Sequence, residues 1–186
     1  MQLGIRLHDI KKAPLEERLA IAHEQGFACG HLALAKVISE YPVDDGALTP
    51  GFALYLKKLF AKNELDVAVL GCYLNLANPN EESFAKIKRR YLTNIRFASL
   101  LGAGVVGTET GAVNEEYKFE EPNHSDEALD IFIWNVRPVV EYAEKMGVIL
   151  AIEPVAKHIV CNPKRARRVL DEIASPNLQI IFDPVN

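Results

Sequence analysis

The sequence contains no C-x-x-C pair. Its three cysteines, Cys29, Cys72 and Cys161, are far apart and odd in number. That argues against a disulfide framework and a zinc finger, and predicts reduced, mostly buried thiols in a cytoplasmic protein. No glycine-rich phosphate loop is present. Neither a G-x-G-x-x-G nor a Walker pattern occurs, and the first strand-to-helix turn, LHDIKKAP, has no glycine. No nucleotide cofactor is expected. Positive charge is not in excess: 21 Lys and Arg stand against 25 Asp and Glu, a net charge of -4. Nothing electrostatic therefore calls for a nucleic-acid partner. No run is long and apolar enough to span a bilayer, and the start MQLGIRLHDIKK lacks the apolar core of a signal peptide. Neither a membrane partner nor export is expected. Linkers, low-complexity tracts and internal repeats beyond one βα rhythm are also missing.

What is present is a chain of 186 residues, 49% of them hydrophobic. That is enough for one core, and one domain over residues 1–186 is expected. Short apolar runs alternate with amphipathic helices. LGIRLH, HLALAKV, LDVAVLGCYLN, GVVGTETG, VILAIEPV and LQIIFD read as strands. Between them lie helices with recognisable ends. Pro14 sits in the first turn of one that Gly26 stops, and Thr49 caps another with Pro50 behind it. EESFAKIKRRYLTNIRFASLLGA carries apolar residues at steps of three and four behind Glu81 and Glu82. Ser125 or Asp126 caps a helix to about Met146 with Pro138 expected to kink it, and Asn162 caps KRARRVLDEIA. Residues 112–123 form a long polar loop, a lid or a plain insertion.

Near-continuous apolar strands separated by single helices mean an α/β fold of parallel strands covered by helices. An open doubly wound sheet and part of a (βα)8 barrel both satisfy the pattern. In either, ligands sit at the C-terminal strand ends. The polar residues there are His8, Lys36, Tyr73 and Asn75, Glu109, Glu153 and Asp183. If the strands neighbour one another in chain order, Glu153 and Asp183 lie side by side. A carboxylate on a buried strand needs either a cationic side chain or a metal. His158 follows Glu153 closely in EPVAKHIVCNP and reads equally as a ligand-binding group or a plain loop histidine. Lys164, Arg165, Arg167 and Arg168 read as the solvated face of a helix. His23, His31 and His124 carry no functional expectation.

At VGTETG, AIEPV and FDPVN the sequence resembles the sugar-phosphate isomerase/epimerase family, the xylose isomerase-like TIM barrels. The resemblance implies a parallel (βα)8 TIM barrel, of which residues 1–186 would supply the first six strands and five helices. Strands seven and eight would then be expected beyond Asn186. Otherwise another chain or a rearranged sheet would have to cover the bare edges of strands one and six, and self-association is one way to do so. The resemblance implies a divalent metal held by Glu153 and Asp183, with a histidine and a glutamate from strands seven and eight. Oxygen-rich ligands suit manganese, magnesium, cobalt or zinc in such a set. It further implies a small carbohydrate substrate, with Glu153 as ligand and catalytic base. Substrate contacts would come from His8, Tyr73, Asn75, Glu109 and His158. The stretch after Glu153 offers His158 and no acid, where ketose epimerases carry a lid carboxylate. The abasic-site endonucleases of the same superfamily need histidines where Lys36 and Tyr73 stand, which argues against DNA repair.

The expected activity is therefore metal-dependent isomerisation or epimerisation of a small sugar, sugar phosphate or polyol. The alternatives are a sugar-acid or inosose dehydratase or hydrolase on the same barrel, or an inactive sugar-binding fragment.

Overall fold

The computed structural model describes residues 1–186 throughout. It contains six strands and six α-helices: β1 Gly4–Arg6, α1 Leu15–Glu24, β2 Cys29–Leu32, α2 Leu34–Val37, α3 Pro50–Lys62, β3 Asp66–Gly71, α4 Glu81–Leu101, β4 Val105–Glu109, α5 Asp126–Met146, β5 Ile149–Glu153, α6 Pro163–Ile173 and β6 Leu178–Ile180. Single 3-10 turns occur at Leu7–Asp9 and Glu121–His124. The strands are parallel, as the alternating pattern implies, and they follow one another in chain order in the sheet. The chain divides into two compact units. One holds Met1–Cys72 with Thr93–Val106, the other Tyr73–Leu92 with Gly107–Asn186.

The first unit is built on β1 to β3. Leu7, Leu15, Leu19, Leu32, Leu56 and Phe60 are fully buried in it, as is Phe97 from the later half of α4. Helix α3 starts as its sequence dictates: the Thr49 hydroxyl accepts from Phe52 N at 3.2 Å, and Pro50 follows. Helix α1 starts differently. Pro14 is its N-cap and offers no side-chain acceptor, and the carboxylate of Glu40 accepts from Leu15 N at 2.6 Å instead. The expected strand HLALAKV is corrected: β2 ends at Leu32, and Leu34–Val37 coil into one helical turn. Val37 N donates to Ala33 O and Ile38 N to Leu34 O. Leu34, Val37 and Ile38 are all buried, a spacing of three and four that a short apolar run hides. Lys36 is therefore an exposed helical residue and not the end of a strand.

The second unit carries α5, β5, α6 and β6. The Ser125 hydroxyl accepts from Ala128 N at 3.1 Å, and Asn162 Oδ1 accepts from Arg165 N at 3.0 Å. Gly147 ends α5 in the left-handed conformation, φ 66. Pro138 lies inside α5, which is continuous from Asp126 to Met146. The carbonyl that Pro138 leaves without a donor belongs to Trp134, a residue 79% exposed, where water can bind it. Tyr91 from α4 is fully buried, and its hydroxyl lies 2.6 Å from Thr108 Oγ1 and 3.1 Å from Leu74 N.

The basic residues of α6 separate by role. Arg167 pairs with Asp171 on the exposed face, as a solvated stripe should. Arg168 bonds Glu172 and Asp130. Arg165 departs from the expectation. Its side chain is 11% exposed and donates to three carbonyls: Ile159 O at 2.7 Å, His124 O at 3.0 Å and Ser125 O at 2.7 Å.

Candidate functional site

In the second unit, backbone pairing brings two strand ends together. After β5 the chain turns at residues 155–158, with His158 N donating to Val155 O at 2.8 Å. The next residues reach back to the end of β4. Ile159 N donates to Gly111 O at 3.2 Å, and Val160 N donates to the buried Thr110 Oγ1 at 3.0 Å. This clasp sets Glu109 beside His158, with Nδ1 of the imidazole 3.8 Å from Oε2 of the carboxylate. The His158 side chain is 15% exposed, and its Nδ1 is buried without a hydrogen-bond partner. Burial holds the imidazole below the usual histidine range, against the pull of the Glu109 charge.

A third group completes the cluster. Tyr117 donates its hydroxyl to Glu109 Oε2 at 3.2 Å and stacks on the His158 ring, with centroids 5.2 Å apart and planes 30° off parallel. Burial and the Glu109 charge push the phenol well above its ordinary range, so it stays a donor. Tyr73 also lies close enough to act on it in the same direction. The backbone at Tyr117 is left-handed, φ 56, which costs a non-glycine residue about 1–2 kcal/mol. The residues 112–123, read as a polar loop, are what carry Tyr117 here. Nothing in their composition singled it out.

Two buried asparagines fix that loop. Asn75, 4% exposed, accepts on Oδ1 from Ala77 N and Ala112 N, both at 3.1 Å, and donates Nδ2 to Asn114 O at 2.8 Å. Asn123, fully buried, accepts from Val113 N and donates to Lys118 O and Lys157 O. The family resemblance implies a substrate contact for Asn75. Here both lone pairs of its oxygen and one amide hydrogen are engaged by backbone. The close approach also explains Gly111, at φ 86. A Cβ there would lie 2.4 Å from Asn75 Oδ1.

Glu153 closes β5, and its Oε1 accepts from Asn186 Nδ2 at 2.6 Å. Asp183 lies beyond β6, which ends at Ile180, and its Oδ1 accepts from Val185 N at 2.8 Å. The β5–β6 register pairs Ile152 with Ile180, so Glu153 is level with Ile181. Asp183 is two residues further along, not directly beside Glu153 as adjacency alone suggested. It lines an open groove of about 580 Å³ with Ala166, Leu170, Ile180, Ile181 and Phe182. Glu153 is not part of that lining.

In the first unit, His8 sits in the 3-10 turn after β1, with its Nδ1 buried and unpartnered. It meets His31 of β2 edge-on at 5.5 Å between ring centres. Burial, then the proximity of His8, lowers His31 to about 4. Burial also lowers His8, with Asp9 opposing.

Carboxylate oxygens at Glu153 and Asp183 are the right type of donor for a hard divalent ion. Their number is insufficient, because no group of three or more His, Cys, Asp or Glu side chains is placed to hold a metal. Residues 1–186 thus offer part of a donor set.

Solved structures share this fold. The 3-keto-D-glucoside 4-epimerase YcjR of E. coli superposes with a TM-score of 0.74 at 16% identity, over 97% of this chain and 67% of its own. D-psicose 3-epimerase of Clostridium cellulolyticum H10, solved with D-tagatose, gives 0.73 at 16% identity, over 97% and 62%. The IOLI protein, solved with a bound zinc atom, gives 0.76 at 17% identity, over 98% and 63%. The chain thus spans about two thirds of the length of these proteins, and at such identities the likeness is one of fold. A search of curated protein sequences finds no match. No helix is long and apolar enough to cross a membrane. The sequence profile of the xylose isomerase-like TIM barrel matches residues 19–186, and the chain belongs to that family.

Proposed function

We propose that the protein acts as an isomerase or epimerase of a small sugar, sugar phosphate or related polyol, by proton transfer next to a carbonyl. The observation that carries this reading is Glu153. A buried apolar strand delivers a half-buried carboxylate to its C-terminal end, with a neutral amide donor on one oxygen. Such a carboxylate can take a proton from a substrate carbon. Family membership and the likeness to two sugar epimerases support the substrate class.

Glu153 is the proposed base. Glu109, His158 and Tyr73, all of the second unit, are proposed to bind substrate hydroxyls, and His8 of the first unit is a separate proposed polar contact. Asn75 is proposed to act indirectly, by fixing the loop that carries Tyr117. A divalent ion, where bound, supplies polarisation of the carbonyl. Glu153 and Asp183 are proposed as two of its ligands. The remaining ligands of the family resemblance, a histidine and a glutamate, have no counterpart among residues 1–186.

The test uses the longest natural chain that contains residues 1–186, assayed on a ketose panel with manganese, magnesium, cobalt and zinc in turn. Wild-type protein is expected to interconvert at least one ketose. Glu153→Gln is expected to lower kcat by about 10²–10⁴-fold. A Glu153→Gln variant with unimpaired turnover overturns the assignment, and a product lighter by one water moves it to a dehydratase.

A further inference from the structure

The Glu109–His158 pair has an unusual arrangement. A carboxylate and an imidazole 3.8 Å apart in a mostly enclosed place would ordinarily close into a charged hydrogen bond. Here they do not. The Glu109 oxygen nearest the imidazole is the oxygen that receives the Tyr117 hydroxyl. The Tyr117 ring also covers one face of His158. His158 Nδ1 is left buried and without a partner, although most buried polar atoms find one. An unsatisfied ring nitrogen next to a carboxylate is a place for a small group that both donates and accepts, and a hydroxyl is such a group.

The surroundings keep this arrangement in place. Thr110 and Gly111 hold the His158 turn through Val160 and Ile159. Asn75 and Asn123 hold the segment that carries Tyr117 through Ala112, Val113, Asn114 and Lys118. The charged or titratable groups acting on the trio are Glu109 on His158, and Glu109 and Tyr73 on Tyr117.

We propose that Tyr117 is a positioning residue: its hydroxyl on Glu109 Oε2 and its ring on His158 keep the carboxylate and the imidazole from pairing, so that the two together receive one hydroxyl of a polyhydroxylated ligand. This rests on the isomerase reading only for the kind of ligand. The geometry that carries it is independent of Glu153 and of any metal.

The experiment is an NMR titration of the His158 imidazole in the 1–186 chain. In Tyr117→Phe the stack is kept and the hydroxyl lost. Glu109 is then free to close on Nδ1, and the His158 midpoint is expected to rise by about one pH unit. The rise should vanish when Glu109→Gln is added. A purely structural tyrosine would leave the midpoint unmoved, and that result overturns the proposal. The unaltered protein gives a second readout that needs no variant to fold. Its imidazole nitrogen shifts are expected to show a neutral ring at pH 7, and a charged ring paired with Glu109 overturns the proposal. For the ligand, D-fructose is titrated as probe. It is expected to shift the His158 resonances, with a Kd at least about fivefold weaker in Tyr117→Phe. No response of His158 in wild type overturns the hydroxyl-binding part. Glu153 takes no part in this measurement, so the isomerase reading stands or falls on its own assay.

Discussion

At the scale of single residues, Glu109 and Glu153 stand out in the sequence because a carboxylate at the end of a buried apolar run is conspicuous. Tyr117, Thr110 and Asn123 do not. Their roles depend on which backbone segment returns to the end of β4, and sequence spacing does not encode that. The surroundings of His31 are hidden in the sequence for a similar reason: its neighbour His8 comes from another element. His31 carries a consequence for pH. The folded-state value is about 4 against 6.5 for an unperturbed histidine, so the unfolded chain binds the proton first as pH falls. The stabilisation is complete above pH 6.5 and is lost as pH drops towards 4. Between pH 7 and 5 the loss from this group amounts to about 2 kcal/mol. Urea unfolding across that range is expected to be steeper in pH for wild type than for His31→Gln by that amount. Equal slopes would show that His31 titrates normally in the fold.

At the scale of elements, helix starts were the most readable feature, since Thr49, Ser125 and Asn162 each accept from the backbone N–H three residues on. A cap is a local device, so the local sequence announces it. The run KRARR was less transparent. It looks uniform, yet Arg167 is solvated while Arg165 ties α6 to the start of α5 and to the turn after β5. Helical phase alone does not say which arginine meets free carbonyls. Replacing Arg165 by Met leaves three carbonyls without that donor, and a loss of about 3 kcal/mol is expected by chemical denaturation. Arg165→Lys should recover little of it, because one ammonium cannot reach three acceptors in a fork. Arg167→Met, by contrast, should change stability by less than about 0.5 kcal/mol.

At the scale of the whole molecule, the parallel βα order followed from the alternation of apolar runs and amphipathic helices, and the family assignment agrees with it. The metal expectation meets a limit at this scale. Two carboxylates two residues out of step on β5 and the segment after β6 do not make a coordination sphere. Calorimetry of the 1–186 chain with manganese is expected to show no tight stoichiometric binding. Tight binding that Asp183→Asn abolishes would show that these residues suffice.

The sequence by itself determined the α/β class with parallel strands and marked the strand ends as the places to look for a ligand, because both follow from patterns a few residues long. Only the tertiary structure decided how those places are furnished. It shortened β2, because the short stretch LAKV can serve a strand or a helical turn, and burial of Leu34, Val37 and Ile38 goes with the turn. It made Asn75 a clamp on the backbone around Ala112. It brought His158 against Glu109, because the backbone clasp of residues 110–111 with 159–160 is a long-range pairing, and it brought Tyr117 onto both through the loop that Asn75 and Asn123 fix.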